Sequence, residues 1–454
     1  MSLKILLVSV NACATPYVVY PLGLSHVAAS LVSEGHTVEM ADCAADEGRL
    51  LEKVRTFAPH LIGISLRNID DIQIRNTRYF ADDLITLAAT IRTASRAPLI
   101  LGGSGFSLFP ERLLQDSGAD FGITGEGEES MVLFANAIEH DSDYRNIPGL
   151  LFREKGTIVQ NAGKPCSPSS IVPPLHPPNL AQFYIKESSM LNIQTQRGCC
   201  HSCCYCTYPL IEGARVRFKN PASIGDELDR IAATKAKYFF IVDSVFNSTV
   251  DHAVAVCEEI IRRKCGMQWG CFLRPQGLTA ECMEIMSRAG LSHIEFGSDS
   301  FSDSVLAEYE KNFCFDDVYL SSELARSANV HYAHFLIIGG PGESEATMRE
   351  TFANSQRLKK TVHFPFVGMR VYPGTPLFRR ALAESVIRPD ADLLPPFFYI
   401  NPTFSSQKAF SLLSEFSGIS PNWIVGDIPA GNAKAAGNLR SMGIVGPLWE
   451  FLVR

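Results

Sequence analysis

The sequence predicts an α/β protein of two units in tandem: a doubly wound parallel-sheet domain, then an incomplete (β/α)6 barrel with a small C-terminal cap. Two series of short apolar runs, alternating with amphipathic stretches, predict the sheets, because a crossover between parallel strands needs a helix. Between the series, Pro165, Pro168, Pro173, Pro174, Pro177 and Pro178 crowd one stretch, the composition of a stiff connector. The length of 454 residues allows about three domains at ~150 residues each. The expected boundaries are 1–160 for the first domain, 161–184 for the linker, 185–385 for the barrel and 386–454 for the cap.

In the first domain, Lys4–Val10 reads as a strand, being a short apolar run without the basic flank and cleavage site of a leader. Leu22–Glu34 reads as a helix ended by Gly35, and Thr37–Ala41, Leu61–Leu66 and Leu99–Gly102 as further strands. The turn Gly102-Gly103-Ser104-Gly105 follows the last of these, and Thr124-Gly125-Glu126-Gly127-Glu128 follows another short run. Ligands of open α/β sheets bind at the carboxyl ends of strands, where these turns lie.

In the second domain the expected strands are Leu191–Gln196, Tyr238–Val242, Gln268–Leu273, His293–Gly297, His334–Ile338 and Val367–Val371. Helix-like stretches, including Ile224–Thr234, Ala253–Lys264 and Asp317–Ala328, separate them. Six strands joined by crossovers imply an open barrel with its chemistry at the carboxyl ends. After about Pro389, Pro395-Pro396-Phe397-Phe398-Tyr399 and Gly446-Pro447-Leu448-Trp449-Glu450 read as a small lid or cap.

Charge and composition exclude several classes. Forty-one Lys and Arg against 48 Asp and Glu leave a net −7, a poor balance for gripping a phosphate backbone. The densest basic cluster, Arg262-Arg263-Lys264, reads as a solvated helix face. No apolar run approaches the ~18 residues of a membrane span. The expected setting is the cytoplasm, where 13 cysteines stay reduced and form no disulfide framework.

Five of those cysteines fall within Arg197-Gly198-Cys199-Cys200-His201-Ser202-Cys203-Cys204-Tyr205-Cys206, directly after the first barrel strand. Cys199, Cys203 and Cys206 have C-x3-C-x2-C spacing, with an aromatic residue before the last. Three thiolates on one loop can hold three irons of a 4Fe-4S cluster and leave the fourth open. Structural zinc is the competing metal, but its closed cages usually pair two separated ligand knuckles, and a second knuckle is missing. The plain alternative is a chance group of buried cysteines, since free Cys is often just a small hydrophobe.

On these residues the chain resembles the radical S-adenosylmethionine (SAM) superfamily. The resemblance implies that Cys199, Cys203 and Cys206 bind the cluster and that the open iron takes the amino and carboxylate groups of SAM; Cys200 and Cys204 do not match ligand positions. Ile338-Gly339-Gly340-Pro341-Gly342-Glu343 resembles the family's fifth-strand motif, implying that Ile338, Gly340 and Glu343 lie against the adenine. Asp243-Ser244 and Ser298-Asp299 stand where the family binds the methionine amino group and the ribose, although either pair could equally cap a helix. Arg370-Val371-Tyr372-Pro373-Gly374-Thr375-Pro376 resembles the segment ending the sixth strand.

Tyr20-Pro21-Leu22-Gly23-Leu24, Gly35-His36-Thr37-Val38, Gly102-Gly103 and Gly125-Glu126-Gly127-Glu128 resemble the Rossmann-like cobalamin-binding domain that precedes many radical enzymes. That implies a corrinoid cradled by Gly102, Gly103 and Gly125, although the D-x-H-x-x-G segment that supplies a lower His ligand in cobalamin-dependent mutases is absent. Arg67 could face the corrin or pair with Asp70 or Asp71.

The reading is an enzyme that cleaves SAM at a reduced cluster and transfers a carbon group to a small molecule. The group would be methyl with cobalamin, or 3-amino-3-carboxypropyl without it. A thiophilic acceptor such as arsenite would suit thiols, with Cys13, Cys43, Cys271, Cys282 and Cys314 as scattered candidates that read mostly as core. The competing readings are 5′-deoxyadenosyl-radical hydrogen abstraction driving dehydration or rearrangement, and a non-catalytic iron–sulfur or cobalamin carrier. Implied partners are a small-molecule substrate and an electron donor such as flavodoxin or ferredoxin, with no nucleic acid.

Overall fold

The computed structural model describes residues 2–12, 17–46, 48–168, 171–426 and 431–452. In the first domain β1 (Lys4–Ser9), β2 (Thr37–Asp42), β3 (Leu61–Ser65), β4 (Leu99–Gly102) and β5 (Phe121–Ile123) form a parallel sheet of order β2-β1-β3-β4-β5. Alternate side chains serve opposite faces, so each strand is buried twice. Ile5 and Leu7 pack in the core shared with helices Leu22–Ser33 and Glu128–Glu139, whereas Leu6, Val8, Ile62 and Ile64 join Val54, Leu84 and Leu113 of the helices on the other face.

A hairpin absent from the expected strand set, β6 (Leu150–Glu154) and β7 (Thr157–Gln160), extends the sheet antiparallel beyond β5. Its two-residue turn has Lys155 at φ 49° and Gly156 at φ 83°, the left-handed pair that matches strand twist. The proline-rich stretch is not a free connector. Its second half is the helix Pro178–Ser188, and its first half is lashed to helix Leu22–Ser33. Tyr20 donates to the Leu175 carbonyl at 2.7 Å, and His26 Nδ1 lies 2.9 Å from the Val172 carbonyl.

The second domain begins with β8 (Leu191–Ile193), followed by the antiparallel pair β9 (Gln196–Arg197) and β10 (Arg217–Phe218). Strands β11 (Tyr238–Ile241), β12 (Gln268–Leu273), β13 (Leu291–Asp299), β14 (His331–Ile338) and β15 (Thr361–Val367) complete a parallel sheet of order β8-β11-β12-β13-β14-β15. Phe239, Ile241, Trp269, Cys271, Ile294 and Phe296 share the core with residues of the flanking helices Pro221–Ala233, Val250–Arg263 and Ala280–Arg288. The alternate residues Tyr238, Phe240, Phe272, His293 and Glu295 therefore line the inner face.

The sixth strand differs from expectation. It is Thr361–Val367, and Met369–Arg370 is a separate piece, β16, paired antiparallel with β17 (Phe398–Tyr399). Gly368, at φ 84°, breaks the run between them. Pro365 disguised the true strand, and it is tolerated there because β15 is an edge strand.

The tail reaches both ends of the barrel: past the carboxyl end of β14, Asn401 N donates to the Gly339 carbonyl and its side-chain amide to the Glu343 carbonyl, each at 2.8 Å. Helix Ser406–Ile419 packs beside β15, and Trp449 reaches the opposite, amino end of the barrel against Ala333 and Val362. Among the described residues no helix is long and apolar enough to cross a membrane.

Candidate functional site

The cysteine run leaves β9 through Gly198, at φ 87°, where an added Cβ would stand 2.2 Å from the Arg215 carbonyl; only glycine fits this turn. The Ser244 hydroxyl donates to the Gly198 carbonyl at 3.2 Å, holding the turn from the end of β11. Cys199, Cys203 and Cys206 are free thiols. Burial pushes Cys206 up to about 12, and the nearby Cys203 and Cys199 thiols add to the shift. Cys200 is exposed, and Cys204 is buried with its sulfur 4.0 Å from that of Met369.

Among the described residues no three ligating side chains converge as they would on a single ion. Three cysteines on one loop supply the soft sulfur donors that an iron–sulfur cluster takes.

Behind the loop, Tyr205 donates to Asp299 at 2.6 Å, and Lys311 pairs with the same carboxylate at 2.6 Å. Asp299 has φ 61° where the β13–β14 register shifts, so the bent strand end aims its carboxylate at the loop. Sequence reasoning missed Lys311 and also Arg274, which follows β12. Besides Lys311, whose side chain is 7% exposed, four arginines and lysines are buried among the described residues: Arg197, Lys219, Arg274 and Arg370. Three have carboxylate partners in Glu128, Glu227 and Asp70. Arg274 has none; its Nη2 is buried without a hydrogen-bond partner and its guanidinium lies 4.8 Å from the Phe313 ring centre. Its charge reaches the loop, for after burial it is the next influence holding His201 down to about 4.

The other residues singled out in the sequence divide by job. Asp243 is fully buried and accepts from Thr195 N at 2.7 Å, Thr195 Oγ1 at 2.5 Å and Gln196 N at 3.3 Å. It braces the strand entering the loop. Ser298 faces outward, 2.7 Å from His334 Nδ1. Glu343 folds back on its own loop, accepting from Gly339 N at 3.4 Å and from the Thr347 hydroxyl, while Gly340 donates to Tyr309 at 3.2 Å. Ile338 is buried at the end of β14 beside this loop.

In the first domain, Gly103 is at φ 99°, and a Cβ there would meet the Leu66 carbonyl at 2.5 Å. At Gly102 and Gly125 an added Cβ would make only ordinary contact, 3.7 Å from the Ile123 carbonyl and 3.9 Å from the Ile211 carbonyl. Glu126 and Glu128 serve differently from a cradle: Glu128 takes Arg197 at 2.5 Å and Glu126 pairs with Arg217. Asp70 is bound to Arg370 at 2.9 Å, so the pairing considered for Arg67 goes elsewhere at that carboxylate. Arg67 lies near Tyr17 and Tyr208, opposing the rise that burial gives each hydroxyl.

The scattered cysteines do not assemble into an acceptor site. Cys271 and Cys282 are in the core, Cys43 is half-buried in the first domain, and Cys314 caps a helix 3.4 Å from Asp317; Cys13 lies outside the described residues. The triple Arg262-Arg263-Lys264 is a paired surface, with Arg263 bound to Glu259, Asp226 and Asp229.

Two parallel sheets, with a glycine-rich rim on one and a cysteine loop at the carboxyl end of the other, define a class of two-domain cofactor proteins. Family models match both parts: the B12 binding domain over residues 8–135 and the radical SAM superfamily over residues 193–353. The chain belongs to the radical SAM superfamily and carries an N-terminal B12-binding domain. It is 23% identical over 434 residues to tryptophan 2-C-methyltransferase of Streptomyces laurentii, covering 80% of this chain and 72% of that one. It is 23% identical over 449 residues to cytidylyl-2-hydroxyethylphosphonate methyltransferase of Streptomyces wedmorensis, covering 83% and 80%. The fold matches the radical SAM methyltransferase TsrM of Kitasatospora setae, solved with cobalamin and a [4Fe-4S] cluster, at TM-score 0.78 and 24% identity over 89% of this chain and 84% of that one.

Proposed function

We propose that this chain is a cobalamin-dependent radical SAM methyltransferase acting on a small molecule. The observation that carries the reading is the apposition of the two rims. Gly125 faces the Ile211 carbonyl just past the cysteine loop, Arg217 reaches Glu126, and Tyr17 reaches Glu295 inside the barrel. The two Streptomyces relatives, both methyltransferases, support the same chemistry.

Cys199, Cys203 and Cys206 would hold the cluster, and the rim at Gly102 and Gly125 would admit the corrinoid, with Gly103 keeping the turn tight. When bound, the two groups supply the one-electron and methyl-carrying chemistry. The protein's part is to position and to exclude water. Arg274, its Nε held by Gln276 at 3.2 Å, offers its partnerless Nη2 to the carboxylate of SAM, the loop Ile338–Glu343 walls the adenine side, and Ser244 and Asp299 steady the cysteine loop. A flavodoxin- or ferredoxin-like protein in the cytoplasm would supply electrons, in keeping with free thiols throughout the described chain.

The test is product analysis of anaerobically reconstituted protein given cobalamin, reductant and methyl-deuterated SAM. S-adenosylhomocysteine with label in an acceptor is the expected result. Methylthioadenosine would instead mark aminocarboxypropyl transfer, and 5′-deoxyadenosine without methylation would mark hydrogen abstraction; either overturns the proposal.

A further inference from the structure

The barrel interior is lined by aromatic carbon around the buried Glu295 carboxylate, with the Glu450 carboxylate 3.3 Å from His293 nearer the amino end. Phe240 and Phe272 meet edge to face at 5.0 Å, and Phe335 and Phe364 stack at 5.2 Å across the other side. The space between them is not filled. Phe272 remains 36% exposed although it lies on the inner face of a central strand, and a Cβ at Gly297 would meet nothing within 4 Å. Residues 293, 295 and 297 share that face of β13, so the opening at Gly297 lies directly above Glu295.

Glu295 is 3% exposed and has no basic partner within salt-bridge reach among the described residues. Its Oε1 accepts from Trp449 Nε1 at 3.1 Å and from the Tyr17 hydroxyl at 3.5 Å. Trp449 comes from the tail and closes the amino end of the barrel, while Tyr17 comes from the first domain. Three separate parts of the chain thus converge on one carboxylate at the floor of an apolar chamber. Two weak neutral donors leave acceptor capacity on a carboxylate, which has about four lone-pair sites. A core carboxylate with so little compensation is costly, and it is retained most economically where a ligand completes it.

We infer that this chamber is the acceptor site and that Glu295 selects an acceptor with an aromatic or flat apolar body carrying a nitrogen that donates a hydrogen bond, as an amine, an ammonium or a ring N–H. The inference rests on the methyl-transfer reading, since it names the acceptor class for that site. The aromatic walls exclude water and orient the flat body, while the carboxylate sets which end points down. Where Glu295 is ionised, a phosphorylated or carboxylate-tailed end pointing down would meet it with like charge and is disfavoured there.

The test measures binding to the resting full-length protein without turnover, by fluorescence titration with 1-naphthylmethylamine and its neutral isostere 1-naphthalenemethanol. The wild type is expected to prefer the amine by at least about tenfold. Glu295→Gln should bring the two probes to within about twofold of each other while keeping affinity for the alcohol. Gly297→Leu, which has room for its side chain, should weaken both by filling the opening; circular dichroism verifies that each variant is folded. Equal binding of the probes by the wild type, an amine preference that survives Glu295→Gln, or unchanged binding by Gly297→Leu would each overturn the inference. A failure of SAM cleavage to yield S-adenosylhomocysteine would overturn the methyl-transfer reading instead and leave these binding results unaffected.

Discussion

Arg197 donates from Nη2 to Glu128 Oε1 at 2.5 Å, and the two side chains are only 7% and 5% exposed. Burial by itself would raise the Glu128 carboxyl, but Arg197 outweighs it and holds the group below the usual carboxylate range. Arg197 precedes the cysteine loop by one residue, and Glu128 opens a helix of the first domain. One buried pair therefore ties the two rims together. Glu128→Ala would strand the guanidinium and should cost about 3–5 kcal/mol, read as a lower urea midpoint. A loss below about 1 kcal/mol would show that Glu126, 3.4 Å from Arg197, carries the contact alone.

The cysteines should separate cleanly by substitution. Cys199→Ala, Cys203→Ala and Cys206→Ala should each lose most of the iron and sulfide taken up on anaerobic reconstitution, while Cys200→Ser and Cys204→Ala retain it. Cys204→Ala removes a buried contact with Met369 and should cost about 1 kcal/mol of stability without touching the iron. Full iron in all three of the first set would remove the cluster from the mechanism.

Glu295 predicts a pH dependence of stability. Burial raises it from an ordinary 4.5 to about 7. A raised carboxyl prefers to be protonated in the folded state, so its contribution is fully present below pH ~4.5 and is lost as pH rises through about 7. The titratable groups facing it are Tyr17, Tyr238 and His293, with His331 stacked on His293 and Glu450 3.3 Å from it. All remain in Glu295→Gln, so the difference between the two proteins isolates Glu295. The variant should lose about 3 kcal/mol of the wild type's decline in stability between pH 4.5 and 8, measured by denaturant titration. Parallel pH curves for the two proteins would contradict this assignment.

The glycine rim should respond position by position. Gly103→Ala forces a side chain against the Leu66 carbonyl from a left-handed backbone and should destabilise by about 2 kcal/mol or more. Gly102→Leu meets no such obstacle in the fold, so it should leave thermal stability nearly unchanged and weaken cobalamin uptake in a spectral titration. Unimpaired uptake by Gly102→Leu would move the corrinoid away from this rim.

Local spacing made the two parallel sheets, the glycine turns and the three-thiol motif legible in the sequence, because each is written within a few consecutive residues. Where local signals conflicted, the reading failed: Pro365 concealed an edge strand, and the hairpin at residues 150–160 carried no Asn-Gly or Asp-Gly turn. Asp243 and Ser298 showed a second limit. Their residue types suit a ligand, but which side of a strand they occupy depends on register, and the surrounding core turns one into a brace and the other outward. The sequence by itself determined the family and the three-thiol loop. Only the tertiary structure decided that Glu128 meets Arg197 across 69 residues, that Tyr17 meets Glu295 across 278, and that Trp449 closes the barrel floor. Such contacts follow from how two sheets and a tail pack against each other, and no local pattern encodes that packing.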